Sequence, residues 1–574
     1  MNAPELEITE ESGASADAAL WRRFAGVAGD DLKSSAIKKH QPGRSAPAGF
    51  TLHLDPVLPS DSLRGQALMR DTWRIGHDRL QLEKGGIPWR VAAPSRHFAD
   101  RLHRFDWLAA LFAEGEEGAD RARMLVDDWI DAFGQFQGFY WRMVPTSARI
   151  WNWMLAGAAL FESGDAEICG KRLDTLLRQL SHIEGGYDDI VDPSGRWIAA
   201  CCLVAASLAL HGGDALDPAL HRLEQECTAQ ILPDGGLVSR SPERLLDALS
   251  NLLVLQDLVR RCGQPKVDFL EKWIGRMAAM VQFFQVGDGS LAVFNDGGES
   301  RVECVETVLK ALGEPPRHFS FAMKSGFQKL STSDLTLILD AGTAPPRPYA
   351  GRAHAGVLGF EFCDGPARIV TSCGFSAEIN LDWQAAVRRT AAHSTLILSG
   401  RDASEFEPFE TTRLLVPIGP EGVSAKRLEE ADEIWLDAQH GAWKSKYGMI
   451  HRRRLFMSGN GTKLTGEDSL VRPVSLPLDD EGKFVSFDIR FHLHPSVHAE
   501  LDKDAIRLIC ESGAVWRFRA THPGIRLEAS RYLGRGLVEQ TQQIVMSGKA
   551  DPNGDGAEPP NCVRWGFLRE KRSV

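Results

Sequence analysis

Apolar residues recur at helical spacing along the first half of this chain. Between about Phe105 and Cys262 they fall three or four positions apart, and several of the apolar stretches end at glycine. The stretches are FDWLAALFAEG, ARMLVDDWIDAFGQF, ARIWNWMLAGAALFESG, RWIAACCLVAASLALHGG and ERLLDALSNLLVLQDLVRRCG, and VDFLEKWIGRMAAMVQFFQ extends the series. Amphipathic helices with short connections predict hairpins of helices, as in a toroid or solenoid.

The pattern changes at about Ser325, where short apolar runs replace the helical spacing. Each run is bounded by Gly, Asp, Ser or Pro, which is typical of strands separated by turns. The runs are DLTLILDAG, GVLGFEFCDG, ARIVTSCG, HSTLILSG, RRLFMSG, FDIRFHLHP, IRLICESG, VWRFRA and QQIVMSG, with CVRWGFL as the last. Successive strands without helices between them predict an antiparallel β-sandwich.

The two patterns divide the 574 residues into three parts. Residues 1–48 are polar and predict a mobile tail, residues 49–318 predict a helical domain, and residues 319–574 predict a β-sandwich domain. The predicted fold class is therefore multi-domain, with the α and β structure in separate domains.

Charge and cysteine content narrow the range of functions. A net charge of −11 gives no general attraction to nucleic acid or to anionic membranes. An acidic polysaccharide would also be repelled at long range, so a protein that binds one needs a locally basic cleft. The ten cysteines include no CxxC pair, and their spacing does not predict a disulfide scaffold.

The sequence predicts a cytoplasmic location. The first residues, MNAPELEITEESGASADAALWRRFAG, are acidic and lack a hydrophobic stretch of signal-peptide length. No apolar run reaches the roughly 18 residues of a membrane span. A mis-assigned start would hide a signal, which leaves the periplasm or cell envelope as the alternative. The sequence leaves the oligomeric state open.

The most distinctive segments lie between about Leu63 and Met546. In the helical part they are FDWLAAL, ARIWNWMLAG, DGGLVSRSPERLLDALSNL and DGSLAVFNDGGE, and in the strand part AGRAHAGVLGFEF, VTSCG, RRTAAHSTLIL, YGMIHRRRL and FHLHPSV. Together they resemble the heparinase II/III family of polysaccharide lyases, most strongly in AHAGVLGFEF followed by AAHSTL. The resemblance implies an incomplete (α/α) toroid followed by an antiparallel β-sandwich, with a cleft between them.

The resemblance also implies a reaction, β-elimination at a uronic acid of an acidic polysaccharide. The proton on C5 is weakly acidic, so a base must remove it while a positive or hydrogen-bonding group stabilises the developing negative charge. An acid then protonates the departing glycosidic oxygen. In the family an Asn or His neutralises the carboxylate, and a Tyr and a His transfer the protons.

A zinc ion that braces the cleft is a further implication of the resemblance. The family holds it through two His and an acidic residue of the sandwich. Here His354 in AHAG and His393 in AAHS match the two histidines, and Cys373 in SCG takes the third place. A cysteine thiolate is a good zinc ligand. The alternative is two hydrogen-bonded histidines and a cysteine that acts as a small buried apolar residue.

The positions implied for proton transfer hold other residues in this chain. No tyrosine lies in SRSPERLLDAL, where Arg240 and Glu243 stand instead. Arg196 falls where the family's Asn-His pair is expected, and Arg352 replaces the catalytic His expected two positions before the first zinc ligand. The chemistry that the resemblance implies is therefore altered at three positions.

Arginine remains protonated at any relevant pH, so it binds anions better than it transfers protons. We therefore expect Arg196, Arg240 and Arg352 to face one another across the cleft and to hold a carboxylate or sulfate. Proton transfer would then fall to Tyr349 or His451. The alternative is that the arginines are surface salt-bridge partners.

Other substrate contacts are predicted on the helices. Arg149 and Asn152 lie three positions apart in ARIWNW and share one helix face, where they either touch substrate or pack against a neighbouring helix. Glu243 is a further candidate for binding substrate. Five tryptophans at helical spacing are predicted to be mostly core, namely Trp107, Trp129, Trp141, Trp151 and Trp153.

Three functions fit these observations. The first is a lyase that acts on a uronate-containing polysaccharide. The second is a carbohydrate-binding or envelope-assembly protein that keeps the fold and has lost the elimination chemistry. The third is an enzyme of the same fold with relocated proton-transfer groups.

Overall fold

The computed structural model describes residues 49–135, 138–213, 215–409, 415–473 and 483–571. The predicted polar tail, residues 1–48, lies outside these described residues. Residues of the chain contact one another mainly within two groups, and the chain therefore divides into two compact units. The first unit ends at Glu226 and also includes Val254–Lys266, whereas the second comprises Cys227–Leu253 and the described residues from Val267 onward.

The helices of the first half follow the predicted apolar stretches. They are α1 (Ser62–Met69), α2 (Arg96–Leu102), α3 (Leu108–Phe112), α4 (Gly115–Phe133), α5 (Met143–Phe161), α6 (Ala166–Gly185), α7 (Pro193–Ala209), α8 (Leu216–Gln230), α9 (Pro242–Arg261), α10 (Asp268–Phe284) and α11 (Val302–Ala311). Each of the six predicted stretches overlaps at least one of these helices. Among the described residues, no helix combines the length and the apolar character needed to cross a membrane.

The start of α7 illustrates how the sequence places these helices. Asp192 caps the first turn by accepting a hydrogen bond from the Gly195 N–H at 2.6 Å, and Pro193 occupies the first helical position. Almost every residue from Trp197 to Ala209 is buried, so α7 is an interior helix of the first unit. Arg196 precedes this buried stretch and keeps part of its side chain in solvent.

The tryptophans of the helical unit form its core, as their spacing predicts. Trp107, Trp129 and Trp153 are fully buried, and the other two predicted core tryptophans are nearly so. Trp129 stands edge-on to Trp153 with ring centres 5.7 Å apart, and Phe105 packs edge-on against both rings. Edge-to-face pairs of this kind are favourable. These rings therefore stabilise the helical unit and are not exposed to a sugar.

A β-hairpin in the helical half was not predicted. β1 (Thr72–Ile75) pairs antiparallel with β2 (Asp78–Gln81), and Gly76 begins the turn between them at φ +59°. Only glycine adopts this left-handed backbone without strain, which suits a tight hairpin. Strands of four residues are too short for apolar alternation to separate them from the start of a helix.

The later strands have the bounds β3 (Phe321–Ala322), β4 (Phe327–Ser331), β5 (Leu335–Asp340), β6 (Phe360–Asp364), β7 (Ala367–Thr371), β8 (Leu396–Leu398), β9 (Glu405–Pro408), β10 (Leu415–Ile418), β11 (Ser424–Glu430), β12 (Glu433–His440), β13 (Ile450–Met457), β14 (Lys463–Val471), β15 (Val485–Leu493), β16 (Val497–Asp502), β17 (Ala505–Cys510), β18 (Val515–Ala520), β19 (Arg526–Tyr532), β20 (Glu539–Ala550) and β21 (Cys562–Lys571). Two short helices interrupt them, α12 (Leu381–Ala386) and α13 (Lys444–Tyr447).

Most of these strands form two large antiparallel sheets, whereas β9 and β10 pair only with each other. One sheet has the order β11-β12-β13-β14-β21-β18-β17-β16, and the other has the order β19-β20-β15-β7-β6-β5-β4-β3, with β8 beside β15. Side chains of both sheets share an apolar core. Phe360 stacks on Trp565 with ring centres 5.9 Å apart, and Phe362 meets Trp516 edge-on at 5.2 Å. These two sheets of the second unit thus form the predicted antiparallel β-sandwich.

One charged cluster lies inside this sandwich. Asp468 on β14 accepts hydrogen bonds from Arg453 Nε at 2.7 Å, from Trp565 Nε1 at 2.8 Å and from His451 Nε2 at 2.8 Å. The side chains of Asp468, Arg453 and His451 are fully buried. Burial alone would raise the pKa of Asp468, but Arg453 and His451 hold it well below its usual range. The carboxylate is therefore charged and fully hydrogen-bonded in the interior.

Candidate functional site

The candidate site of the second unit is held together by one buried amide. Asn295 lies in the segment 286–299 that follows α10, and its Nδ2 donates to the Arg240 carbonyl at 2.7 Å. Its Oδ1 accepts from the His354 N–H at 3.1 Å. His354 belongs to the loop 350–356, so Asn295 fastens this loop to the chain just before α9.

Arg388 braces the same loop from its other side. Its Nε donates to the Ala353 carbonyl at 2.9 Å, its Nη2 donates to the Leu415 carbonyl at 2.8 Å, and its own carbonyl accepts from the Ala355 N–H. Burial and the neighbouring Arg389 lower the pKa of Arg388 to about 10. Arg388 therefore remains a cation, and it adds positive charge beneath the predicted site loop.

Arg352 lies among charged groups of α9 and the segment after α10. Arg244 Nε donates to Asp296 Oδ2 at 2.5 Å. Burial would raise the pKa of Asp296, but Arg244 and Arg352 lower it below its usual value. Burial raises the pKa of Glu243, whose carboxylate accepts a backbone N–H, and Arg352 partly opposes that rise. Arg352 is therefore one of two arginines whose charge acts on Asp296 and Glu243, in the region predicted for substrate contacts.

Arg240 is fixed in the interior of the second unit. Its Nη2 donates to Asp340 Oδ1 at 2.5 Å, its Nε donates to the Ser325 carbonyl at 2.9 Å, and its Cζ lies 4.6 Å from the centre of the Phe327 ring. Only 7% of the residue is exposed. Because these partners surround the Arg240 guanidinium, it is not available to a polysaccharide. The contacts therefore favour a structural role over the predicted anion binding.

The two predicted proton-transfer candidates differ in exposure. His451 is fully buried between Asp468 and His440, with its Nδ1 3.2 Å from His440 Nε2. A ring inside the sandwich core cannot reach a sugar, which corrects the prediction for His451. Tyr349 lies in the 3-10 turn Arg347–Tyr349 and is partly exposed.

In the helical unit the two predicted substrate contacts are helix-packing groups. Arg149 is fully buried and donates to Gln179 Oε1 at 2.5 Å and to the His103 carbonyl at 2.8 Å, with its Cζ 4.2 Å from the Trp129 ring centre. Asn152 Nδ2 donates to the Arg104 carbonyl at 2.9 Å. Both residues join α5 to its neighbours, which favours the helix-packing alternative over contact with substrate.

The environment of Arg149 leads to a pH prediction for His103. Burial and the nearby Arg149 lower the pKa of His103 to about 3, whereas an unfolded histidine titrates near about 6.5. As pH falls below 6.5, the unfolded chain takes up a proton that the folded ring does not, so the free energy of unfolding falls. We compare how far the free energy of unfolding falls between pH 7 and pH 5, measured by urea unfolding. For His103→Gln we expect this fall to be about 2 kcal/mol smaller than for the unchanged protein.

The matched control is His498→Gln, because His498 is exposed on β16. That variant should lose as much stability between the two pH values as the unchanged protein. If the free energy of unfolding of His103→Gln falls as much between pH 7 and pH 5 as that of the unchanged protein, the assignment of His103 as a neutral buried ring is contradicted.

Arg196, the third predicted arginine, belongs to the first unit. Its Nε donates to Glu226 Oε1 at 2.9 Å, and 30% of its side chain is exposed. Arg240 and Arg352 belong to the second unit, where they have different partners. The expectation that the three arginines face one another stays a prediction.

Two of the predicted zinc ligands are adjacent. The ring centres of His354 and His393 are 5.3 Å apart, and the Nε2 atom of each has no hydrogen-bond partner among the described residues. Burial lowers the pKa of His393 to about 3 and that of His354 well below its usual value, so both rings are neutral. A neutral imidazole with an unpaired nitrogen is the form that binds zinc.

Cys373 does not join the two histidines. Its Sγ lies 3.6 Å from His492 Nδ1, an atom that is also 2.8 Å from Ser530 Oγ. Burial raises the pKa of the Cys373 thiol to about 12, which disfavours the thiolate that zinc requires. Within the described ranges, no three His, Cys, Asp or Glu side chains are grouped so that they could hold a metal ion. The zinc site therefore stays a prediction, and His354 and His393 are the two residues that support it.

The sequence did not point to two residues that organise this site. Asn295 and Arg388 are recognised only by the loop carbonyls and N–H groups that they bind. The weak signals in the sequence were an Asn within FNDGG and an Arg pair just before the AAHS segment.

Comparisons with known proteins agree with this architecture. Over 98% of this chain and 92% of the other, the structure superposes on the crystal structure of heparinase III with a TM-score of 0.67 and 14% sequence identity. Heparan sulfate lyase from Pedobacter heparinus gives a TM-score of 0.56 with 12% identity, again over 98% of this chain and 92% of the other. The chain thus shares the fold of these two proteins, a helical region followed by antiparallel sheets.

Sequence comparisons identify the family. Residues 314–566 match the heparinase II/III-like, C-terminal family. The chain is also 33% identical over 533 residues to FtsZ-localized protein C of Caulobacter vibrioides, which covers 90% of each chain. This chain belongs to the heparinase II/III-like family.

Proposed function

We propose that this chain binds an acidic saccharide without cleaving it, and that it works at the site of cell division. One observation carries the first half of the proposal. Two residues that the sequence predicted for catalysis are committed to interior ion pairs, Arg240 with Asp340 and His451 with Asp468. The expected tyrosine is absent from SRSPERLLDAL. Without a base and an acid at the sugar, the elimination has no proton path.

The remaining charges support binding. Arg352 and Arg244 are partly exposed, and Arg388 lies close enough to Arg352 for each cation to disfavour the other. Asp296 balances part of this charge. A carboxylate or sulfate would relieve the repulsion between the guanidiniums and form charge-assisted hydrogen bonds with them.

Replacing Arg352 by alanine tests this binding site. We expect Arg352→Ala to weaken binding of an acidic oligosaccharide about tenfold or more, since a hydrogen bond to a charged group contributes about 1.5–3 kcal/mol. Calorimetric titration measures the affinity, and a neutral oligosaccharide of the same length serves as the control ligand. Unchanged affinity for the acidic ligand would remove Arg352 from the site.

The division-site half of the proposal comes from the relative named FtsZ-localized protein C. We propose that this chain also localises with FtsZ, on the cytoplasmic side that its sequence predicts. A fluorescent fusion imaged beside labelled FtsZ tests this. Bands that coincide and disappear together on FtsZ depletion are expected, whereas a uniform or periplasmic signal would contradict the proposal.

Elimination by a relocated tyrosine is the second candidate function. The observation that favours it is the partly exposed Tyr349, which stands three positions before Arg352. Absorbance of the unsaturated uronate product distinguishes the two functions, because binding alone forms no such product.

A zinc ion held by His354 and His393 belongs to the same proposal. It would brace the loop that carries Arg352, and no proton transfer is assigned to it. Elemental analysis should find about one zinc per chain, and His354→Ala should reduce it to less than about one-tenth. If the unchanged protein contains less than about one-tenth of an equivalent of zinc, the proposal for zinc is wrong.

A further inference from the structure

Tyr187 lies in a short turn before α7 and is buried against two arginines of the first unit. The Cζ atom of Arg196 is 5.0 Å from the centre of the Tyr187 ring, and that of Arg222, on α8, is 5.1 Å from it. Because both guanidiniums lie within about 5 Å of one point, they are at most about 10 Å apart. The ring face attracts each cation, which holds both guanidiniums in place.

The two guanidiniums share few negative partners. Glu226 Oε1 accepts from Arg196 Nε at 2.9 Å and from the Tyr187 hydroxyl at 3.1 Å. Asp188, which is exposed, is the other acid that acts on Arg196. Arg222 is half-buried and makes no hydrogen bond or ion pair with any residue that the structure describes.

This arrangement leaves donor groups unused. The bond to Glu226 occupies Arg196 Nε, whereas no described residue accepts from its Nη atoms. All five donors of Arg222 lack a partner of this kind within the described ranges. Several N–H donors of the two guanidiniums are therefore available to an anion that binds at this place.

We propose that Arg196 and Arg222 form a binding site for an oxyanion, that is, for a carboxylate, sulfate or phosphate group. Each planar guanidinium offers paired N–H donors that match two oxygens of such a group. Burial and the Glu226 carboxylate raise the pKa of Tyr187, so its ring serves as a neutral support. The site lies within the first unit and does not depend on the saccharide site proposed around Arg352.

The place of Arg196 on α7 supports the same ligand chemistry. Arg196 is the fourth residue of this 17-residue helix, so its guanidinium starts from the helix end that carries partial positive charge. Asp192 already caps the first turn. An oxyanion held by Arg196 would therefore bind through side chains, with the helix dipole as a smaller contribution.

Calorimetric titrations with galacturonate, inorganic sulfate and inorganic phosphate, at constant ionic strength, test the proposal. We expect at least one of the three to bind saturably, and Arg222→Gln to weaken that anion about tenfold by removing charge-assisted hydrogen bonds. Arg196→Gln should weaken it to a similar extent. Arg222→Lys should fall between, since it keeps the charge and loses the paired donors. The anion that binds best distinguishes a saccharide carboxylate from a sulfate or phosphate source.

Arg74→Gln is the matched control, because Arg74 is an exposed arginine on β1. It should leave anion affinity unchanged. Arg222→Gln removes no ion pair and only one cation–π contact, so its melting temperature in the absence of anion should be close to that of the unchanged protein. Equal affinity in Arg222→Gln and the unchanged protein, or no saturable binding of any of the three anions, would overturn the proposal. Because Arg352→Ala tests the saccharide site separately, the two failures are distinguishable.

Discussion

Replacing Arg240 by alanine should reduce the free energy of unfolding by about 3–5 kcal/mol. The change removes the cation that pairs with Asp340, whose side chain is only 6% exposed, and it leaves that carboxylate charged and buried. It also removes the hydrogen bond to the Ser325 carbonyl and the contact with Phe327. Urea unfolding followed by circular dichroism measures the loss.

The matched control is Arg526→Ala on β19. Arg526 pairs with Glu528, but 49% and 37% of the two side chains are exposed, so the loss should be about 0–1 kcal/mol. A loss below about 1 kcal/mol in Arg240→Ala would contradict the structural role and restore Arg240 as a candidate for binding anions.

Replacing Asp468 by alanine should have an effect of at least the same size, about 3–5 kcal/mol. The fully buried Arg453 would lose two hydrogen bonds to the carboxylate, and His451 and Trp565 would each lose one. A buried guanidinium without a counter-ion is among the most costly defects in a protein core. The urea midpoint should fall sharply, with secondary structure retained below it.

Asp437→Ala on strand β12 of the same sheet is its matched control. Asp437 also pairs with an arginine of β13, Arg452, but 33% and 37% of the two side chains are exposed. The control should lose about 0–1 kcal/mol. Similar losses in the two variants would contradict the burial of the cluster around Asp468.

The fold was predictable because its signals are local and repeated. Trp129 and Trp153 recur at helical spacing within their stretches, and each stretch became a helix. The strands of the sandwich are bounded by turn residues such as the Gly365 between β6 and β7, at φ +52°. The hairpin at Gly76 was missed because four-residue strands carry too little pattern.

The site was only partly predictable, because burial and pairing depend on distant positions. Asp340, which holds Arg240, lies 100 residues away along the chain, and Asp468, which holds His451, lies 17 residues away. Nothing in the residue type of an arginine or histidine shows which carboxylate it meets. The adjacency of His354 and His393 was found through family resemblance, whereas Cys373 faces His492 across a strand pairing that the sequence did not reveal.

Absorbance of the unsaturated uronate product tests the central claim most directly. The protein is mixed with a panel of acidic oligosaccharides, binding is confirmed in the same samples by titration, and a heparin lyase serves as the positive control. Binding without any rise in absorbance is the predicted result, for the unchanged protein and for Tyr349→Phe alike. A rise in absorbance that Tyr349→Phe abolishes would contradict the claim and establish elimination by a relocated tyrosine.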